Sequence, residues 1–327
     1  IYSFREDSYE ESISYDELHL MVAKLSFSLK KLGIQKGDRV VGVLPNIPET
    51  VIAMLATTSL GAIWSSCSPD FGVDSVVDRF TQINPKLIFG CDYYLYKGKK
   101  INCKSSFDKI INSIKSIEYS FIINYNKENQ IDWTNLLDNK ASDIDYEYVN
   151  FSDPLYVMYS SGTTGKPKSI VHSVGGTLIQ HKKEHLFHVN LKQDDMLFYY
   201  TTCGWMMWNW LISALSIGSC IVLYDGNPCY PKNDSLLDKM DRININHFGT
   251  SAKYIDSIEK MNIRPKQNYD FSSLKSILST GSPLLPNNFD YVYESWKESV
   301  QLCSISGGTD IISCFVLGCP VLPVRRG

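Results

Sequence analysis

Alternating strand and helix patterns over 327 residues predict an α/β protein made of two side-by-side α/β subdomains with largely parallel sheets. Apolar runs of strand length recur between amphipathic stretches of helical period. Parallel neighbours need crossovers of this length, and such crossovers are right-handed. The alternation breaks once, between Cys103 and Asn150, where a mixture of Asn, Lys, Ile, Ser and Tyr takes over. A subdomain transition near the end of that stretch gives 1–150 and 151–327.

The first helix is the best marked. Ser14 and Glu17 stand at capping-box spacing, apolar residues recur at Leu18, Met21, Val22, Leu25 and Leu29, and Gly33 supplies a stop. A buried strand is then expected over residues 39–44, a helix over 49–60, a strand over 62–66, a helix over 73–83 and a strand over 86–89. Within the interruption the one apolar run is 121–123. The alternation resumes with a strand over 155–159, a helix after Ser173, a strand over 196–201 and a helix from Trp205. Strands over 220–224, 277–279 and 302–305 complete the reading.

Hydrophobic residues make up 44% and charged residues 20% of the chain, ordinary for a globular protein. The 32 Lys and Arg against 35 Asp and Glu leave a net charge of −3, and no basic run could neutralise a row of phosphates, so nucleic acid is not an expected partner. Nine scattered cysteines with no CxxC pair indicate neither a disulfide framework nor a zinc ribbon, and a reducing cytosol fits them. Residues 196–224 carry no charge and are long enough to span a bilayer. Polar residues from Thr201 to Ser219 break that stretch, and Trp205, Trp208 and Trp210 crowd its middle instead of its ends, so strand, helix and strand in succession explain it better. The chain opens on Ile1 and closes on 322–327 without a helix stop or an acidic tail, so both ends read as cut.

The segment Tyr159-Ser-Ser-Gly-Thr-Thr-Gly-Lys-Pro-Lys168 carries the strongest chemical signal. Small residues permit close backbone approach to a phosphate, hydroxyls donate, and two lysines offset charge. It is not a Walker A loop: two residues separate Gly162 from Gly165, and Pro167 stands where Ser or Thr would hold magnesium.

These residues resemble the phosphate loop of the adenylate-forming superfamily of acyl-CoA synthetases, luciferases and peptide-synthetase adenylation domains. The resemblance extends over nearly the whole chain through Ile63-Trp-Ser-Ser-Cys-Ser-Pro-Asp-Phe-Gly72, Val171-His-Ser-Val-Gly-Gly-Thr-Leu-Ile-Gln-His181, Gly204-Trp-Met-Met-Trp-Asn-Trp210 and Ser304-Ile-Ser-Gly-Gly-Thr-Asp310. It implies the large N-terminal domain of such an enzyme, with the small C-terminal, lysine-bearing domain absent. The chain alone is then expected to bind MgATP but to adenylate poorly.

Residue by residue, the resemblance implies that Ser160, Ser161, Gly162, Thr163, Thr164, Gly165 and Lys168 cradle the phosphates of ATP. Gly281, Ser282 and Pro283 match the turn that lies against adenine. Thr309 corresponds to the α-phosphate contact and Asp310 to the carboxylate linked to Mg²⁺, one methylene shorter than the Glu common in relatives. Residues 67–72 resemble a coenzyme A contact region. Acetyl-specific relatives close the acyl pocket with a Trp where this chain has Gly307; Gly308 is also bare, and Trp205 is available to line the wall. A four-carbon keto acid fits the opened pocket, as would propionate, butyrate or a branched acid, and only the wider resemblance singles out acetoacetate. A catalytically silent ATP-binding module and, more distantly, a membrane-associated protein are the competing classes.

His181, His185 and His188 share a helical face and could in principle ligate zinc. Lys182 and Lys183 beside them point instead to a partly exposed amphipathic helix. His172 reads as a core histidine.

Overall fold

The computed structural model describes residues 1–127, 131–137, 141–160 and 165–326. It contains two compact units. One gathers Ile1, Glu11–Thr177 and Thr202–Met206; the other gathers Tyr2–Glu10, Leu178–Thr201 and the chain from Met207 onward. The division thus falls elsewhere than at residue 150, for reasons of strand pairing given below.

Two short strands come first, β1 (Tyr2–Arg5) and β2 (Glu10–Ser12). Helix α1 (Tyr15–Lys31) follows with its capping box formed: Ser14 Oγ accepts from the Glu17 N–H at 3.2 Å, and the Ser14 N–H donates to Glu17 Oε2 at 2.8 Å. It ends before Gly33, whose φ of 79° is the left-handed conformation a helix stop requires. Then come β3 (Arg39–Val43), α2 (Pro48–Ser59), β4 (Ile63–Cys67), α3 (Val73–Phe80) and β5 (Leu87–Cys91), each overlapping its expected range.

The polar interruption is more ordered than its composition suggests. It holds the hairpin strands β6 (Tyr93–Tyr96) and β7 (Lys99–Asn102), then α4 (Lys104–Ser113), β8 (Tyr119–Ile123) and α5 (Ile131–Leu137). Strands β9 (Pro154–Ser160) and β10 (Lys168–Ser173) complete a six-stranded sheet of order β10-β9-β4-β3-β5-β8, parallel except between β9 and β10. Because β9 pairs with β4, the phosphate-loop strand belongs to the first unit. Val41, Val43, Val76, Phe80, Phe107 and Ile110 form part of a core between this sheet and its helices, each side chain contributing about 1.5–3 kcal/mol by burial.

The second unit begins within α6 (Val174–Lys183), which runs on as a π-helical turn, Glu184–Val189. It continues through β11 (Met196–Tyr199), α7 (Met206–Ser213), β12 (Cys220–Asp225), α8 (Ser235–Arg242), β13 (His247–Ser251) and α9 (Ala252–Lys260). Strand β14 (Ser276–Thr280), α10 (Pro286–Ser295), β15 (Gln301–Ser304), β16 (Ser306–Gly308) and β17 (Ser313–Val316) follow. The sheet order is β15-β14-β13-β11-β12-β1-β2, and β1 joins it by parallel pairing with β12, Tyr2 opposite Val222. Elements α8, β13 and α9 fall where the sequence suggests none. Strand β13 reads His-Phe-Gly-Thr-Ser, and its Gly249 leaves room for the Tyr199 ring of the neighbouring strand, so its burial is invisible in local hydrophobicity.

The uncharged 196–224 stretch resolves into β11, α7 and β12, as expected, with Trp208 and Trp210 fully buried. No helix among the described residues is long and apolar enough to cross a membrane. The histidine face is corrected: His181 and His185 are buried, not partly exposed. Burial pushes the His185 ring down to about 3, which keeps it neutral, and its Nε2–H donates to Trp210 O at 3.0 Å. Among the described residues no group of three or more His, Cys, Asp and Glu could hold a metal.

Where β11 begins, Asp195 is buried with two partners: His247 at 3.1 Å on one oxygen and the Lys275 ammonium on the other. His247 in turn meets Ser276 Oγ at 2.8 Å through Nδ1. Burial alone would raise the Asp195 carboxyl, but the hydrogen bonds from His247 and Lys275 outweigh it and hold it below the usual carboxylate range. A depressed folded-state value means that this carboxylate adds stability above the unfolded value near 3.8 and loses it as pH falls below that. Asp195→Asn should therefore lower unfolding free energy by about 1–3 kcal/mol at pH 7 and flatten the acid limb of stability, as read from urea titrations between pH 3 and 7.

Candidate active site

In the first unit β9 delivers the phosphate loop. Tyr156, Val157 and Met158 are buried, which fixes the strand, and Ser160 stands opposite Lys168 of β10 in the antiparallel register. Ser161, Gly162, Thr163 and Thr164 lie outside the described residues. The returning arm is tied to α3: Lys166 Nζ pairs with Asp78 at 2.6 Å, and Gln82 Nε2–H donates to Pro167 O at 2.8 Å. Asp78 lies on α3 and Gln82 in the turn that follows it, and their contacts with the loop show only once α3 is placed. Lys168 is exposed, and among the described residues a Cβ added at Gly165 would meet nothing within 4 Å. The arm thus presents Ser160, Gly165 and Lys168 without burying them.

The same unit holds residues 202–206. Ser66 Oγ–H donates to Cys203 O at 2.7 Å, and the Phe71 ring would lie 2.8 Å from a Cβ on Gly204. Arg79 sits 5.0 Å above that ring. Trp205 is 61% exposed, so it is not a core residue. Burial pushes the Cys67 thiol up to about 12, which removes it from nucleophilic chemistry at neutral pH.

In the second unit four chain segments meet at one cavity of about 790 Å³. Gly281, Ser282 and Pro283 leave the C-terminal end of β14, with Gly281 at φ 89°, a conformation open to glycine. Residues 304–307 follow β15, and Ile305 N–H donates to Ser279 O at 2.7 Å to align the two exits. Residues 316–319 and 322–325 form the remaining wall. The cavity also runs along the edge strand β15, Gln301–Ser304, and past Phe289 of α10, so it covers the sheet edge as well as the carboxyl ends where open α/β sheets bind ligands.

Strands β16 and β17 form a hairpin whose tip is a 3₁₀ turn, Thr309–Ile311, carrying Thr309 and the exposed Asp310. Gly307 lies opposite Cys314, and a Cβ there would fall 2.2 Å from Ser313 O. The close approach of β17 therefore requires glycine at 307, a cause separate from the pocket room expected from sequence. At Gly308 the nearest atom to an added Cβ is Asp310 Oδ2, at 3.7 Å. Gly281, Ser282, Pro283 and Gly307 thus share one cavity, Thr309 and Asp310 share the hairpin tip, and Trp205, Ser160, Gly165 and Lys168 belong to the other unit.

Asp310 fits a magnesium role by its chemistry. Mg²⁺ in nucleotide enzymes is held by one or two carboxylates with phosphate oxygens supplying the rest, so an exposed single carboxylate at the site suffices.

A family model described as "AMP-binding enzyme" matches residues 3–321. The chain is 48% identical to the acetoacetyl-coenzyme A synthetase of Rhizobium meliloti (strain 1021), covering 98% of this chain and 51% of that protein. It is 46% identical to the acetoacetyl-CoA synthetase of Mus musculus, over 96% of this chain and 49% of that one. The solved acetoacetyl-CoA synthetase from Streptomyces lividans superposes with a TM-score of 0.95 at 39% identity, covering all of this chain and 51% of that structure's. The chain spans about half the length of the curated relatives it matches.

The two bare positions of the hairpin should respond differently to a methyl group. Gly307→Ala should lower unfolding free energy by about 1–3 kcal/mol through overpacking against the β17 backbone, while Gly308→Ala should stay within about 0.5 kcal/mol of the original. Parallel urea denaturation of the two variants checks this, and equal effects would contradict the close approach.

Proposed function

The chain belongs to the AMP-binding enzyme family, and from that premise we propose that the whole native protein activates acetoacetate with ATP and passes the acyl group to coenzyme A. The products are acetoacetyl-CoA, AMP and pyrophosphate. The observation that carries this reading is the 48% identity to a protein named for that reaction, over 98% of the chain.

In the first half-reaction a carboxylate oxygen of the acid attacks the α-phosphorus of ATP, and the bond to the pyrophosphate oxygen breaks. Charge accumulates on the non-bridging oxygens and the leaving group, and preorganised donors lower that barrier most. Lys168 and the backbone of the 160–165 loop serve the phosphates, Thr309 donates to the α-phosphate, and the 281–283 turn lies against adenine. Asp310 would hold Mg²⁺, which supplies Lewis-acid charge neutralisation at the phosphates. In the second half-reaction the thiol of coenzyme A loses its proton and attacks the acyl carbon, expelling AMP. That step needs positioning more than acid or base chemistry, and residues 67–72 with the neighbouring 202–206 segment are the part assigned to it. At Gly307 the β17 backbone fills the space a side chain would take, so the room for more than an acetyl group is assigned to Gly308, where an added Cβ would meet nothing nearer than 3.7 Å. A cytosolic location fits nine scattered cysteines with no CxxC pair.

Acid-dependent ATP–pyrophosphate exchange by the whole native protein tests the reading, with acetoacetate, acetate, propionate and butyrate supplied separately. Exchange should be strongest with acetoacetate, and Lys168→Ala should reduce it about 10²- to 10³-fold. Strongest exchange with another acid would keep the reaction class and discard the substrate. No exchange with any acid, despite MgATP binding, would mean a silent nucleotide-binding module.

A further inference from the structure

The π-helical turn Glu184–Val189 breaks the regularity of the helix that α6 begins, and such turns concentrate at functional sites. It carries Glu184 into the interior, where the residue is 1% exposed. Among the described residues no ion pair includes Glu184, so neutral donors must satisfy its lone pairs. Four do. Trp210 Nε1–H donates to Oε2 at 2.8 Å, and Gln180 Nε2–H, Ser313 Oγ–H and Cys314 N–H donate to Oε1 at 3.0, 2.6 and 3.1 Å.

Two of these donors belong to β17, the strand that returns from the turn carrying Thr309 and Asp310. One residue earlier, Ile312 adopts φ 48°, which a β-branched side chain avoids. Its carbonyl accepts from His181 Nε2 at 2.7 Å, and because a carbonyl only accepts, that nitrogen carries the proton. Three consecutive residues, Ile312, Ser313 and Cys314, are thus pinned by side chains one helical turn apart. An apolar residue of similar volume would fill the interior at lower desolvation cost than a carboxylate, but it would let Ile312 relax to an ordinary backbone path. Strain of this kind persists only where its surroundings over-determine it, and it gathers at active sites.

We propose that Glu184, together with His181, is a positioning residue for adenylation: it fixes the backbone conformation that presents Thr309 and Asp310 to the α-phosphate and its divalent cation. Neither side chain touches a ligand in this scheme, and the inference rests on the function proposed above.

The test uses the whole native protein and Glu184→Gln, which keeps the volume but, even with its oxygen turned to the three donors on the Oε1 side, sets an amide N–H against the Trp210 Nε1–H. Acid-dependent ATP–pyrophosphate exchange should fall about 10- to 100-fold and should need more Mg²⁺ for half-maximal rate. Thioester formation from preformed acyl-adenylate should keep the wild-type rate. A role confined to stability would scale both half-reactions with the folded fraction and leave the Mg²⁺ requirement unmoved. Without any ligand, amide hydrogen exchange over residues 306–314 should quicken while β13 and β14 stay protected. If either the Mg²⁺ requirement or the 306–314 protection stays at its wild-type value, the inference fails while the proposed function stands. Absence of exchange by the wild-type protein with every acid would sink the proposed function and this inference with it. Should Glu184→Gln not fold, His181→Leu removes the Ile312 bond alone, and His181→Gln, which keeps an N–H donor, should restore both readouts.

Discussion

Parallel pairing is the constraint on which the second unit depends. Strands β13, β14 and β15 run in one direction with Ser251 level with Thr280 and Ser279 level with Ser304, so their carboxyl ends finish together. Backbone groups inside the sheet are committed to the ladder, and only the loops leaving that edge have polar groups to offer a ligand. The 281–283 turn and the 304–307 segment are brought to one cavity by this alignment alone. At the opposite edge, where β11, β13 and β14 begin, Asp195, His247 and Ser276 form a buried chain of hydrogen bonds.

Two buried carboxylates of this unit, Asp195 and Glu184, are satisfied in different ways. Asp195 has a partly exposed lysine and a histidine, so its environment responds to charge. Glu184 has an indole, an amide, a hydroxyl and a backbone N–H, which fix direction. Directional donors suit a hairpin tip that must hold one backbone path, whereas a charge pair suits a junction that must only stay shut.

Much of the fold is legible locally because it is specified locally. The Ser14–Glu17 box, the Gly33 stop and the strand–helix–strand succession of 196–224 each depend on neighbours within a few turns. The strands that flank the phosphate arm, β9 and β10, are legible only in part: the strand expected over 155–159 matches β9, while β10 follows the loop where the sequence suggests only a later helix. Legibility ends where the partner is distant in the chain. The pairing of β9 with β4 places the arm in the first unit and shifts the division from residue 150. Nothing local distinguishes a helix face of three histidines that is exposed from one buried beneath Ile312 and Trp210. Glu184 escaped notice for the same reason: its four donors come from Gln180, Trp210, Ser313 and Cys314, and only the first is nearby in sequence. Gly307 shows the converse, since the sequence supplied a pocket reason for glycine and the β17 backbone supplies another.

The pairing of β1 with β12 also has a consequence in time. A ribosome releases Tyr2 some 220 residues before its partner Val222, roughly 10–45 s at ordinary elongation rates. During that interval the first strand has no ladder to join, and its apolar Phe4 has no core to enter. The second unit therefore cannot seat β1 until β12 has been made, and nascent protein would leave that strand unpartnered in the sheet over the interval.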